Sequence, residues 1–170
     1  PHGIALQFDG AGQVEVGNTK QMQIAGNQTI ALWMWPAVLD ERRNPYNKSY
    51  TAENTMTLKP SGVVNYFYSA QSTGPYISVG MNIVVTPKTW VHLALVRDFT
   101  AKTVTWYRNG KATNTVATAY PTASVSNQPL IIGNGYTNGF IGQLDDIGVW
   151  PRALSAQEIA GLYSPTATGR

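Results

Sequence analysis

The chain contains no cysteine, which excludes a disulfide framework, thiolate chemistry and cysteine-ligated zinc. Charge is scarce as well: Asp, Glu, Lys and Arg make up 12% of residues, against roughly 25% in ordinary soluble domains. The net charge is +3, and no basic run exceeds the pair Arg42–Arg43 beside Asp40 and Glu41. A nucleic-acid binder wants a basic stripe interleaved with stacking aromatics; none is present, and the arginine pair reads as a solvated loop. No apolar run approaches the roughly 18 residues of a membrane span, and no secretory leader precedes PHGIALQF. The segment therefore reads as a soluble or excised domain without membrane insertion. Histidine is limited to His2 and His92, and no serine sits in a nucleophile elbow, so triad chemistry has little to stand on. Helical periodicity is almost missing ahead of residue 155.

What remains is a strand-rich chain. Its 170 residues suffice for one domain with a substantial core and are too few for two ordinary ones. Apolar residues account for 43%, so solubility rests on Thr, Asn, Ser and Gln, a profile that suits a secreted β-protein. Sixteen glycines and ten prolines are spread along the chain and supply turns, not one linker.

Ile4, Leu6 and Phe8 alternate with Ala5 and Gln7, as a half-buried strand should. Asp9-Gly10 turns it into a second strand, Gln13–Val16. Residues 17–26 read as a loop with at most one helical turn. Thr29–Trp35 is apolar on both faces and stops at Pro36, which predicts a central strand covered on both sides. Residues 37–55 are polar, contain Asn44-Pro45-Tyr46-Asn47 and read as the longest irregular stretch. Met56–Lys59 and Val63–Tyr68 form a hairpin around Pro60-Ser61-Gly62, and Tyr76–Val79 and Asn82–Val85 follow around Gly80. In Trp90–Asp98, His92, Ala94 and Val96 share one face, while Val91, Leu93, Leu95 and Arg97 share the other. Asn109-Gly110 is the sharpest hairpin signal. After the turn at residues 133–139, FIGQLDDIGVW reads as one long strand ended by Pro151. A short helix from about Ser155 to Tyr163 closes the chain, with Ser155 and Glu158 as a capping box and Leu154, Ile159 and Leu162 as its apolar stripe. About twelve strands at short spacings predict an all-β, two-sheet antiparallel jelly-roll sandwich with a short C-terminal helix, in one domain over residues 1–170.

Four blocks carry a family resemblance. IALQFDGAGQVEV resembles the opening strand pair of laminin-G-like domains of the concanavalin A-like jelly-roll superfamily, and TIALWMWP resembles their T-I-x-x-W-x-x-P strand. WVHLALVRD with TVTWYRNGK is similar to their W-x-H-x-A-x-V-x-D and Y-x-N-G-K segments. GFIGQLDDIGVWPRALSAQEIAGLY is similar to their closing F-x-G-x-I-D-D-V and R-A-L-S-x-x-E-I segment. The blocks keep the family's order and span nearly the whole chain, although residues 37–85 match only in kind. The resemblance implies a lectin-like sandwich that serves as a carbohydrate-binding or adhesion module, fused to other domains and lying outside the cell or on a cell or virion surface. It also implies bound calcium, with Asp9 and either Asp145 or Asp146 as carboxylate ligands and the carbonyls of the Gly10–Gln13 turn completing a shell of hard oxygens. Neighbouring strand residues point to opposite faces, so Asp145 and Asp146 should not both reach one ion. Gln13 stands where many relatives carry an acid, and Asp9 reads equally as an Asx turn before Gly10.

Catalysis finds no support in the acidic residues. Glycoside hydrolysis needs two carboxylates about 5–9 Å apart, mounted in the superfamily's retaining glucanases on alternate residues of one strand. Here Asp145 and Asp146 are adjacent, and Glu15, Glu41, Glu53 and Glu158 are scattered, so the chain reads as no enzyme. Sugar binding asks for exposed rings that stack on pyranose faces plus polar groups for the hydroxyls. Tyr46, Tyr50, Tyr76 and Tyr136 fall in expected loops, with Asn134 and Asn138 flanking Tyr136. Trp106 and Arg108 share one face of their strand opposite Tyr107, and one of those faces should be wet. Trp33, Trp90, Trp150 and His92 read as core, the histidine satisfied by a hydrogen bond. The leading expectation is a non-catalytic module that binds a glycan or cell-surface polysaccharide. The second is a structural or protein-attachment domain of a virion or adhesin, and a glycoside hydrolase comes third.

Overall fold

Alternation in the strands divides the chain into two layers. The computed structural model describes residues 3–164, which leaves His2 outside the described residues. Thirteen strands are found there: β1 Leu6–Asp9, β2 Val14–Gly17, β3 Gln28–Pro36, β4 Arg43–Ser49, β5 Asn54–Leu58, β6 Val64–Ser69, β7 Tyr76–Gly80, β8 Val91–Asp98, β9 Thr103–Arg108, β10 Lys111–Ala117, β11 Leu130–Ile132, β12 Asn138–Gly139 and β13 Ile141–Trp150. A 3-10 turn covers Lys20–Met22 and the helix α1 covers Ala156–Tyr163. One sheet runs β1-β13-β3-β8-β9-β10; the other runs β2-β11-β4-β5-β6-β7, with β12 added beside β4. The long pairings are antiparallel, and β12 alone runs parallel to its neighbour among the described strands. The expected jelly-roll sandwich is the architecture found.

The core lies between the sheets. Ile30, Leu32 and Met34 of β3, Leu93 and Leu95 of β8 and Trp106 of β9 meet Tyr46 of β4, Met56 and Leu58 of β5 and Tyr66 and Tyr68 of β6. A second, smaller core covers the outside of the first sheet. Ala31, Ala94 and Tyr107 form a cross-strand row there, and Ile159 of α1 and Leu154 pack onto it. The two alanines leave room for the helix, which is why β3 and β8 are apolar on both faces. The helix starts as its residues dictate: the Ser155 side chain accepts from the Glu158 amide, and the Glu158 side chain accepts from the Ser155 amide.

Several expectations are corrected. Residues 43–49 are a strand, not a loop. Pro45 falls in a register shift between Arg43 and Tyr46, so the residue that cannot donate sits where the ladder is interrupted. Asn82–Val85 is no strand; it is a loop that plugs Met81 and Val85 into the core. Of the first strand's three apolar residues only Phe8 is buried, with Leu6 48% and Ile4 96% exposed. His92 is buried, but its Nδ1 has no hydrogen-bond partner among the described residues; the ring packs edge-on to Trp33 at 5.4 Å.

Arg97 ties the layers together. The alternation of β8 turns it inward with Leu93 and Leu95, and it is fully buried. Its Nη1 donates to the Glu53 carbonyl at 2.6 Å and to Tyr66 Oη at 2.7 Å. Its Nη2 donates to the carbonyls of Ile24 and Gly26, both at 2.8 Å, and its Nε donates to Gly26 at 3.2 Å. The guanidinium also lies 4.9 Å from the Phe99 ring centroid. One planar cation thus bonds three carbonyls and a phenol, linking β8 to β6, to the residue ahead of β5 and to the Ile24–Gly26 loop.

Two predictions follow from the core. Arg97→Lys replaces the planar fork with a point charge that cannot reach the same acceptors, and it should cost about 3–5 kcal/mol, read as a lower urea midpoint. A midpoint near that of the parent would show that the network is dispensable. Burial pushes His92 down to about 4, whereas the unfolded ring titrates near about 6.5. The unfolded chain therefore binds more protons in that window. The stability conferred by the neutral ring is complete above about 6.5 and drains away as pH falls through about 4. His92→Phe should flatten the pH dependence of the unfolding free energy across that interval; an unchanged slope would assign it to other groups.

Candidate functional site

The outer face of the second sheet carries a row that the sequence alone does not suggest is one surface. Asn47, Thr55, Phe67 and Ser78 are register neighbours across β4, β5, β6 and β7, and Thr57 faces Asn65 one step along. Their alternates Tyr46, Met56, Tyr66 and Val79 point into the core. Thr55 and Thr57 are nonetheless buried, because side chains from two loops and the sheet edge fold over the row. Tyr50 follows β4, Tyr76 opens β7, and Tyr136 comes from the turn before β12.

These three tyrosines form one cluster. The Tyr50 ring centroid lies 4.3 Å from both Tyr76 and Tyr136, and 5.2 Å from Phe67. Tyr136 is held over the sheet by its phenol, which lies 3.0 Å from Thr57 Oγ1 and accepts from Arg42 Nη2 at 2.8 Å. Burial pushes the Tyr50 phenol above its ordinary range, and its hydrogen bond with Tyr76 adds to this. Tyr76 and Tyr136 remain 44% and 41% exposed, so they offer rings to solvent while Tyr50 and Phe67 back them. A cleft of about 260 Å³ opens here, lined by Arg42, Tyr50, Lys59, Asn65, Phe67, Tyr76 and Ser78.

The turn that presents Tyr136 is fixed by Asn44. Its side-chain amide donates to the Met56 carbonyl at 2.8 Å. Its Oδ1 accepts from the Thr137 amide at 2.9 Å and from the Thr137 hydroxyl at 2.7 Å. Gly135 lies flush on β4: a Cβ there would come within 2.8 Å of Asn44 Cγ and of Asn47 Cβ.

The expected ligand set is only partly brought together. Tyr50, Tyr76 and Tyr136 meet. Tyr46 does not, because its strand turns it inward and it is 1% exposed. Trp106 is buried too, donating from Nε1 to the Val79 carbonyl at 3.0 Å. Its face is the sandwich interior, and on the opposite face Tyr107 is covered by the α1 layer while Thr103 and Thr105 stay partly exposed. Arg108 sits at the end of β9 opposite Lys111, on the other sheet. Asn134 donates to the Ala11 carbonyl at 3.4 Å and Asn138 to Glu41 Oε2 at 2.6 Å; both amides brace loops and neither lines the cleft. Arg42, Lys59, Asn65 and Phe67 are additions. Alternation in Val63–Tyr68 could have put Asn65 and Phe67 on one face, but nothing local shows that Tyr136 and Arg42 fold over it.

The three aspartates do not form one ligand shell. Asp9 pairs with Ile141 and Leu6 with Leu144, so Asp145 stands four residues along β13 from the position opposite Asp9, about 13 Å at strand rise. Asp9 Oδ1 accepts from the amides of Ala11 and Gly12 at 2.9 and 3.0 Å, the Asx turn. Asp145 Oδ1 accepts from the Asp146 amide at 2.9 Å, where β13 bulges and Asp146 takes φ +46°. Among the described residues no group of three His, Cys, Asp or Glu is gathered for a metal. A larger cleft of about 370 Å³ opens between the β1–β13 and β2–β11 edges. Its lining is mainly apolar, with Leu6, Val14, Val16, Leu130, Ile132 and Val149, but includes Asp145 and Asp146; among the described residues it has no aromatic ring to stack on a sugar face.

The family model of the laminin-G-like group, in the concanavalin A-like lectin/glucanases superfamily, matches residues 8–160. Comparison with curated proteins gives no match. Among solved structures, the CBM40 of the Ruminococcus gnavus IT-sialidase bound to α2,3-sialyllactose is similar with a TM-score of 0.79 at 11% identity, over 94% of this chain and 96% of that one. Domain 4 of AbnA, an extracellular GH43 arabinanase from Geobacillus stearothermophilus in complex with arabinotriose, gives 0.76 at 19% identity, over 94% and 76%. The binding domain of Paraclostridial Mosquitocidal Protein 1 gives 0.74 at 19% identity, and there the chain spans 42% of the other's length. At these identities the likeness is one of fold.

Gly135→Ala should lift the Tyr136 turn from β4. The overpacking should cost about 1–3 kcal/mol and appear as a lower urea midpoint. Unchanged stability would mean that the turn is not seated on Asn44 and Asn47.

Proposed function

The chain belongs to the laminin-G-like family of the concanavalin A-like lectin/glucanases superfamily, and from that premise we propose that it is a non-catalytic carbohydrate-binding module of an extracellular protein. The observation that carries this reading is the cluster of Tyr50, Tyr76 and Tyr136, the first two lining a cleft to which Arg42, Lys59, Asn65, Phe67 and Ser78 also contribute, and Tyr136 joined to it through Tyr50 and Arg42. Exposed rings offer C–H-rich pyranose faces an apolar platform. Convergent amide, hydroxyl and cationic groups around them suit sugar hydroxyls. Similar folds with bound arabinotriose and sialyllactose support the same reading. The cleft is lined by no carboxylate, so the acid–base pair of glycoside hydrolysis is not assembled in it.

In this mechanism Tyr76 and Tyr136 contact the sugar, and Tyr50, Phe67 and Thr57 hold them in place. Most of the site's order is therefore established before binding, which limits the entropy lost on association. Calcium, in this reading, would brace loops outside the cleft, since the cleft lining contains no carboxylate for it.

Thermal unfolding against a panel of soluble oligosaccharides tests the proposal, run once with calcium and once with EDTA. One glycan class should raise the melting temperature by mass action, and the shift should persist in EDTA. Tyr76→Ala and Tyr136→Ala should each weaken binding roughly tenfold, about 1.4 kcal/mol. A silent panel, or shifts indifferent to both substitutions, would overturn the reading in favour of a protein-attachment domain.

A further inference from the structure

We infer that the sugar this cleft takes is anionic, carrying a carboxylate or a sulfate; the inference rests on the carbohydrate-binding reading. The argument is the balance of charge around the rings. Arg42 and Lys59 both line the cleft, and its lining contains no Asp or Glu. The acids nearest in sequence, Asp40 and Glu41, are occupied elsewhere. Arg43 grips Asp40 with Nε to Oδ1 and Nη2 to Oδ2, both at 2.8 Å. That contact, with the Arg43 side chain as its main cause, holds the Asp40 carboxyl down at about 2. Glu41 Oε2 accepts from Asn138 at 2.6 Å and lies 3.9 Å from Arg43 Nη2. Arg43 thus neutralises Asp40, and Glu41 is turned toward Asn138 and Arg43, so among the described residues neither acid pairs with Arg42, whose guanidinium is left to the cleft.

Arg42 is also pre-aimed. It is exposed, yet its Nη2 is fixed on Tyr136 Oη and its Cζ lies 5.8 Å from that ring's centroid. That bond uses one of five guanidinium donors, and the others keep the fork geometry that matches a carboxylate or sulfate. The tyrosine that would stack on the sugar therefore fixes the cation that would meet its acid group. Lys59, partly buried, adds a second positive charge as a point donor. A neutral sugar would leave both cations without a counter-charge at the rings.

The test compares ligands that differ only in charge. Calorimetric titration would use tetragalacturonate against its methyl-esterified form, and a sulfated chondroitin tetrasaccharide against its desulfated form. The inference expects the free acid or the sulfated form to bind at least tenfold tighter than its masked partner; which pair shows the preference separates carboxylate from sulfate. Arg42→Gln should erase most of that preference, and Lys59→Gln part of it. Raising salt from 10 to 300 mM should weaken the parent protein's binding, as expected for exposed charges. Arg42 lies at the surface, so loss of fold should not confuse the result, and the salt series needs no variant. Equal binding of masked and unmasked forms, or a neutral glycan bound with no response to salt or to Arg42→Gln, would overturn the anionic inference and leave the carbohydrate reading standing. Silence from every charged and neutral glycan would overturn both.

Discussion

The sandwich depends on one buried cation. Arg97 reaches from the middle strand of one sheet to the Glu53 carbonyl ahead of β5 and the Tyr66 phenol of β6, and sideways to the Ile24–Gly26 loop. Hydrophobic contact brings two apolar faces together but sets no register between them. A planar fork with fixed acceptors does, because only one sheet offset satisfies all of its bonds. The cost of burying the charge is offset by the number of hydrogen bonds and by the Phe99 and Tyr68 rings beside it. A second buried pair, Lys48 and Glu53 at 3.4 Å, lies close by in sequence on the opposite sheet. Lys48 is anchored to Asn18 and to the Gln128 carbonyl. Polar fixing at this end leaves the outer face of β4–β7 with a stable floor.

That floor decides how the candidate site is built. Small and amide side chains, Asn47, Thr55, Thr57 and Asn65, line the row between the rings, so Tyr136 can lie against the sheet and still reach Thr57. The site is therefore composed from four separate stretches of sequence, near residues 42–50, 55–59, 65–78 and 136. Each contributes something the others lack: a cation and one tyrosine, a threonine floor and a second cation, more floor and an edge ring, and a ring delivered by a turn. No pair of them makes a binding surface alone.

Legibility follows from this. The two strand periods, the Asn109-Gly110 hairpin and the Ser155–Glu158 cap are local, and each was readable because its cause lies within a few residues. Strand β4 is not legible because Pro45 and its polar neighbours look like loop, and the register shift that absorbs Pro45 depends on β5. For the same reason Tyr46 reads as surface although it belongs to the core. The burial of Trp106 comes from the opposite sheet, and Tyr107 is covered by a helix that lies far along the sequence. Tyr50, Tyr76 and Tyr136 could be named one by one as candidates. That they touch, and that Arg42 joins them, follows only from pairing across strands distant in sequence. The aspartates show the converse: Asp9 and Asp145 sit on adjacent strands, but the register that pairs Asp9 with Ile141 holds them apart.

The strand order has a temporal side. In the first sheet β3 lies between β13 and β8, and among the described strands β1 pairs only with β13. Strand β1 thus has no described ladder partner until residues 141–150 have been made. Emerging from a ribosome, β4 to β7 can zip as successive neighbours, while β1 and one edge of β3 wait with exposed backbone groups. Such long-range closure is slow and leaves unpaired edges open to other chains. The meander that carries the tyrosine face is then the part able to form early, and the first sheet is sealed last by the strand that bears Asp145 and Asp146.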